Sequence, residues 1–184
     1  MACIVDGTRI RVSRPSDDVI QSSFYSGKTK HHNFNILFVI MRSGRCIYVS
    51  SPIPGSQNDQ YLWNLSGLRA QFVGKTFGIV GDKMFMFNRK KDKTKIIGFA
   101  PAKKNGNTSA NDNLDDNLTE KNKRIGGVRA RIERYFSRLK EWRVFKGVNR
   151  MHSADLWKSF DFSRIVIAIA SLIEWLRRRN VTKK

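Results

Sequence analysis

The stretch HHNFNILFVIMRSGRCIYVSSPI, residues 31–53, constrains the fold most. Two apolar runs are joined by RSGR, which reads as a β-hairpin with Gly44 at its turn. Ahead of it, CIVDGTRIRV (3–12) reads as another strand, with Asp6 set among β-branched residues. After it, PGSQNDQYLWNLSGLRAQFVG (54–74) opens with Pro54 and Gly55. It continues as a helix with Tyr61, Leu62, Leu65, Leu68 and Phe72 on one face. TFGIVGDKMF (76–85) is a short buried strand ending at Asp82, and KIIGFA (95–100) a further strand in a basic, irregular region. SRPSDD (13–18) and YSGKTK (25–30) carry loop signals. The Asn/Asp/Lys-rich segment 103–123 reads as a low-complexity loop. Helices are expected over 126–142 and 155–179, the second running into a basic tail, RRRNVTKK. No internal repeat is visible. The order of strand, hairpin, helix, strand and helices describes a single α/β domain over residues 1–184.

The charge names the partner. Lys and Arg number 35 against 15 Asp and Glu, a net charge of +20. A chain with 40% hydrophobic residues can build a core, so this is no disordered basic tail. A folded domain so charged repels itself unless a polyanion neutralises it, and nucleic acid does so through phosphate contacts and counterion release. DNA binding that is tight, indifferent to sequence and strongly weakened by salt is expected. Cys3 and Cys46 have no CxxC neighbour, which argues against zinc ribbons and thioredoxin-like chemistry and fits reduced thiols in an intracellular compartment. The one long apolar stretch, RIVIAIASLIEWL, is too short to span a bilayer and carries Glu174, so no membrane partner is expected.

GGVRARIERYFSRLKEW (126–142) carries one acid near its middle, Glu133, among Arg129, Arg131, Arg134 and Arg138. At about 100° per residue, Val128, Ile132, Tyr135, Phe136, Leu139 and Trp142 form one apolar stripe. Arg129, Glu133 and Lys140 lie along one flank of that stripe. Glu133 is therefore at the edge of the buried face, where a side chain can reach a neighbouring sheet. Acids thus stand on the first strand, at the end of the fourth and on a late helix. Two Mg²⁺ ions roughly 3.5–4 Å apart need several hard oxygen ligands of this kind. Metals so held would activate an attacking oxygen and stabilise the leaving one in an in-line phosphodiester displacement.

Four blocks in order resemble the DDE transposase/endonuclease family of PIF/Harbinger elements, relatives of bacterial insertion-sequence transposases. VDGTRIRVSRPS is similar to the first block, with Asp6 at the first catalytic acid, and YSGKTKHHNFN to the basic segment after it. PGSQNDQYLW is similar to the Gly-Ser-x-x-Asp block and places Asp59, with Asn58 where His is common. IVGDKMF resembles the Asp-x-x-Tyr block and places Asp82, with Phe85 for Tyr. RARIERYFSRLK resembles Arg-x3-Glu-x6-Lys and gives Arg129, Glu133 and Lys140. The resemblance implies an RNase H-like α/β fold, a mixed sheet flanked by helices, and metal-dependent cleavage or joining of DNA with Mg²⁺ or Mn²⁺. It implies Asp6, Asp82 and Glu133 as catalytic acids, and these with Asp59 as metal ligands. Lys28, Lys30, Arg129 and Lys140 become DNA contacts or supports of the acids. In such a sheet the fourth strand lies beside the first, so Asp82 is expected to face Asp6, and Asp59 to act at longer range or through water. Family members usually begin with a helix-turn-helix region, so a catalytic domain without one is expected, with a separate DNA-binding protein as the partner that would supply specificity. Its location would be the nucleus in a eukaryote and the cytoplasm otherwise.

Simpler explanations exist for each residue alone. Asp6 and Asp82 can be turn acids, Asp59 an N-cap, and Glu133 half of a surface ion pair. His31 and His32 are adjacent on a strand and face opposite ways, which argues against joint ligation. Trp142, Trp157 and Trp175 are read as core. A catalytically inactive, transposase-derived DNA-binding protein is the alternative function, and a basic RNA-binding structural protein a third.

Overall fold

A computed structural model describes residues 2–88, 90, 92–101, 112–148 and 167–173. Its centre is the pairing of β1 (Ala2–Arg11) with β3 (His31–Met41), antiparallel from Cys3 opposite Met41 to Arg11 opposite Asn33. On the other side of β1, β6 (Gly78–Val80) runs parallel to it, with Ala2 opposite Gly78 and Ile4 opposite Val80. β7 (Gly98–Phe99) is parallel to β6. The remaining strands lie against β3: β2 (Tyr25–Ser26), β4 (Cys46–Val49) and β5 (Ile53–Pro54). The hairpin expected around Gly44 is therefore β3 and β4, and the fourth-strand run lies beside the first strand as expected.

Side chains alternate across the sheet and bury both of its faces. Ile4, Ile10, Phe34, Ile36, Phe38 and Ile40 pack on one side against α4 (Asp112–Leu139), through Ile132, Tyr135, Phe136 and Leu139. Phe24 from α1 (Asp18–Phe24), Phe145 from α5 (Arg143–Lys146) and the helical residues 167–173 complete this layer. Val128 is half-buried on the α4 stripe as the helical spacing predicts, but the helix expected over 126–142 stops at Leu139, and Trp142, also half-buried against this layer, is the extended N-cap residue of α5. On the other side, Cys3, Val5, Leu37, Val39 and Ile79 pack against α2 (Asp59–Leu65) and α3 (Leu68–Phe72), with Phe85 and Phe87 closing the edge. Both cysteines are free thiols, Cys3 buried and Cys46 half-buried. No described helix is long and apolar enough to cross a membrane.

Three further expectations need correction. Residues 13–18 were expected to be loop throughout, but α1 starts at Asp18, because the Asp17 side chain caps it by accepting from the Ile20 N–H at 2.9 Å. The 103–123 segment is not loop to its end, since α4 begins at Asp112. Its sequence is acid-rich at the start and base-rich towards the end, which suits the helix dipole, and Glu120 and Arg124 pair one turn apart. The single helix expected after Pro54 is two, divided at Gly67, whose φ of 64° is left-handed and ends the first. The break changes the buried face: Leu62, Trp63, Leu68 and Phe72 are in the core, while Tyr61 and Leu65 are exposed. The helix expected over 155–179 is described only at 167–173; its remainder, with Trp157, Glu174, Trp175 and the basic tail, lies outside the described residues.

This face assignment is measurable by urea denaturation. Leu62→Ala should cost about 2–5 kcal/mol, the range for a truncated core leucine, and Leu65→Ala no more than about 0.5 kcal/mol. Equal losses would return both leucines to one buried stripe.

Candidate functional site

Strand geometry decides which acids meet. Ile4 pairs with Val80 across the parallel β1–β6 ladder, and Asp6 and Asp82 each follow two residues later. The two chains therefore leave the ladder with their acids at the same level. Asp6 shares the face of Ile4, towards α4. There Arg129 reaches both: its Nη2 is 3.4 Å from Asp6 Oδ2, and its Nη1 is 3.4 Å from Asp82 Oδ1. The Gly7 N–H also donates to Asp6 Oδ1, at 2.9 Å. Arg129 is 19% exposed, and its Nε is buried without a hydrogen-bond partner among the described residues.

Asp59 approaches from the other face. Asn58 takes the capping role, its side chain accepting from the Tyr61 N–H at 2.8 Å, so Asp59 is the first residue of α2 and its carboxylate is free of that duty. Asp59 Oδ1 accepts from Asn35 Nδ2 at 2.9 Å. It lies against the backbone of Gly7, where any Cβ would overlap it. Glycine at position 7 thus lets a third carboxylate come up behind β1, next in line to Asp6. Asn35 is fully buried and opposes Arg9 on β1. Sequence reasoning passed it over, although a polar residue inside the apolar run FNILFVI is a signal that something must be hydrogen-bonded there.

Burial pushes the Asp6 carboxyl up from 3.8 to about 6. The Arg129 guanidinium and the Gly7 N–H pull the other way, and the Asp59 and Asp82 carboxylates add to the rise.

The other expected residues lie further out. Glu133 is exposed, one turn beyond Arg129 on α4; its backbone carbonyl accepts from Ser137 Oγ at 3.0 Å. Its carboxylate makes no ion pair with a described residue. Lys140 is exposed just past the end of α4, roughly 16 Å along the helix from Arg129. Lys28 and Lys30 are exposed in the turn before β3, beyond the Arg11 end of β1, which is roughly 17 Å from Asp6 along the strand. His31 is exposed and His32 half-buried at that same end. Among the described residues, no group of three or more His, Cys, Asp or Glu side chains is close enough together to hold a metal ion. The assembled unit is a pair of carboxylates bridged by a guanidinium, with Asp59 behind it and Glu133 at its rim.

A sequence model of the DDE superfamily endonucleases matches residues 5–173. The chain belongs to that superfamily. The match takes in Asp6, Asp59, Asp82, Arg129 and Glu133. No curated protein and no solved structure matches the chain. For a DDE superfamily endonuclease the mixed sheet with flanking helices is the expected class of fold, and a transposase or nuclease function with DNA as substrate is the coarse reading.

The raised Asp6 carboxyl gives this domain a pH signature. A folded-state value above the unfolded one means that the folded protein holds the proton more tightly. Stability from this group is complete below about pH 4 and is lost as pH rises towards about 6. Asp6→Asn carries no such penalty. Its unfolding free energy relative to the unsubstituted protein should grow by about 1–3 kcal/mol between about pH 4 and pH 7. A difference that stays constant across that window would contradict the burial of a strained carboxyl at position 6.

Proposed function

We propose that this chain is a divalent-metal-dependent DNA endonuclease or strand transferase of the PIF/Harbinger DDE type, built on an RNase H-like domain. The observation that carries the reading is that Asp6, within β1, and Asp82, two residues past the end of the parallel neighbour β6, already share one cation, Arg129. The order β2-β3-β1-β6-β7, with β3 antiparallel to β1 and with β6 and β7 parallel to it, supports the RNase H-like assignment.

The donor set fits a hard cation. Both acids offer carboxylate oxygens, both are partly open to solvent, and both are aimed at a single positive charge, as Mg²⁺ or Mn²⁺ would require. Asp6 and Asp82 would hold the metal directly, Asp59 would act on it through Asp6 and the β1 backbone, and Glu133 would approach from α4. When bound, the metal supplies Lewis-acid stabilisation of the attacking and leaving oxygens at phosphorus. The chain's own groups do the rest. Asn35 and Gly7 fix the Asp59 carboxylate, and the Gly7 N–H orients Asp6. Lys28, Lys30 and Lys140, all exposed, would meet phosphates outside the centre. The net charge of +20 supports a polyanion spread across the surface, DNA being the substrate the family implies. A separate DNA-binding protein would supply sequence preference. A nuclear location in a eukaryote, or a cytoplasmic one otherwise, belongs to the same reading.

One observation favours the second reading, an inactive transposase-derived DNA-binding protein. The Glu133 carboxylate stands outside the Asp6–Arg129–Asp82 cluster, and no described trio of ligands is formed.

Nicking of supercoiled plasmid with Mg²⁺, with Mn²⁺ and with chelator separates these readings. Glu133→Gln and Asp82→Asn should abolish metal-dependent nicking while leaving the melting temperature within a few degrees. Asp59→Asn should weaken metal affinity by roughly 10–100-fold, the scale of a group acting around a metal, with activity partly restored at high Mn²⁺. Full activity in Glu133→Gln would remove that residue from the chemistry. Rescue of Asp82→Asn but not Asp59→Asn by Mn²⁺ would reverse their roles. No nicking by the unsubstituted chain would favour the DNA-binding reading.

A further inference from the structure

Arg129 is in an unexpected place for a DNA contact. It does not point outwards along α4 with Arg134 and Arg138, which are exposed. It is largely buried, and its two terminal nitrogens are divided between Asp6 and Asp82, one each, at equal distances of 3.4 Å. That is one cation shared by two carboxylates on adjacent strands, the position a bridging metal ion would take. The contacts are long for charge-assisted hydrogen bonds, which are usually about 2.7–2.9 Å, and Nε has no partner among the described residues. A guanidinium built into a permanent structural clamp usually binds one carboxylate side-on through two parallel bonds. Here it is loosely held by both acids and its remaining donor is unspent.

We propose that Arg129 is an internal counter-cation that holds the Asp6–Asp82 pair together in the metal-free protein and competes with the divalent ion for it. The inference rests on the reading of Asp6 and Asp82 as metal ligands. Without a cation between them, two carboxylates brought together by the β1–β6 ladder would repel, and Asp59 behind β1 would add to the repulsion. Arg129 removes that cost at the price of occupying the site. A metal ion must then displace it, so the observed metal affinity is the intrinsic affinity reduced by the fraction of molecules in which Arg129 holds the acids. Once displaced from the acids, the guanidinium would be free to meet a phosphate of the substrate. Metal loading then frees a cation for the substrate, and by linkage a bound phosphate favours metal loading.

The test reads metal binding itself and needs no turnover. Mn²⁺ binding to the full chain is followed by electron paramagnetic resonance or calorimetry in unsubstituted protein, Arg129→Gln, Arg129→Lys and Asp82→Asn, with melting temperatures recorded in chelator. Arg129→Gln should bind Mn²⁺ more tightly, by roughly 10–100-fold, the scale on which groups around a metal tune its affinity, yet melt lower when metal-free. Arg129→Lys keeps the charge and should fall between the two, and it serves should the glutamine variant fail to fold. Mn²⁺ should raise the melting temperature of Arg129→Gln more than that of the unsubstituted protein. Affinity unchanged or weakened in both Arg129 variants, with Mn²⁺ binding still lost in Asp82→Asn, would overturn the competition and leave the metal reading intact. Mn²⁺ binding that Asp82→Asn does not diminish, or no binding in any form, would overturn both.

Discussion

The parallel ladder between β1 and β6 forces two carboxylates into one place. Backbone hydrogen bonds fix the register at Ile4 and Val80, and Asp6 and Asp82 follow whether or not their charges favour it. Everything around the pair answers that constraint. Arg129 on α4 lies between the two acids, and α4 is held there by Ile132, Tyr135, Phe136 and Leu139 packing on the same sheet face. The burial that stabilises the helix is therefore also what delivers the cation. Asp59 is admitted behind β1 only because residue 7 has no side chain, and it is kept there by Asn35.

A concentrated negative site inside a protein of charge +20 has a functional consequence. The basic surface attracts a polyanion as a whole, while the carboxylates would repel the phosphates brought closest to them. Under the proposed function a divalent cation would resolve the conflict, binding the acids and presenting positive charge to the phosphodiester. Membership of the DDE superfamily of endonucleases and the geometry of Asp6, Arg129 and Asp82 point to the same chemistry from independent directions.

Much of this was legible in the residues. Strong apolar runs marked β1, β3 and β4, and the 3.6-residue stripe from Val128 to Leu139 marked the buried face of α4. The RNase H-like sheet implied by the family resemblance, rather than the order of elements alone, set the strand of Asp82 beside that of Asp6. Less visible was whatever depends on short-range detail. Gly67 breaks the α2–α3 segment and turns Leu65 outwards, α1 rests on a single capping aspartate, and an Asn/Asp-rich composition hid the start of α4. In the site, spacing placed Arg129 on the flank of the buried stripe. Its reach to two acids, from 123 residues away in the case of Asp6, is a product of tertiary packing that spacing alone does not contain. Asn58 and Asp59 show the same limit: both suit a helix cap, and only the hydrogen bonds donated by the Tyr61 N–H to Asn58 and by Asn35 to Asp59 show that Asn58 caps α2 while the Asp59 carboxylate lies behind β1.

The central claim is that Asp6 and Asp82 are arranged to share a divalent cation. Anomalous diffraction at the manganese edge from crystals soaked in Mn²⁺ tests it most directly. The account predicts an anomalous peak between the two carboxylates, with the Arg129 guanidinium turned out of the space it otherwise fills. Mn²⁺ ordered only elsewhere on the protein, with Arg129 still bridging both acids at saturating metal, would contradict it.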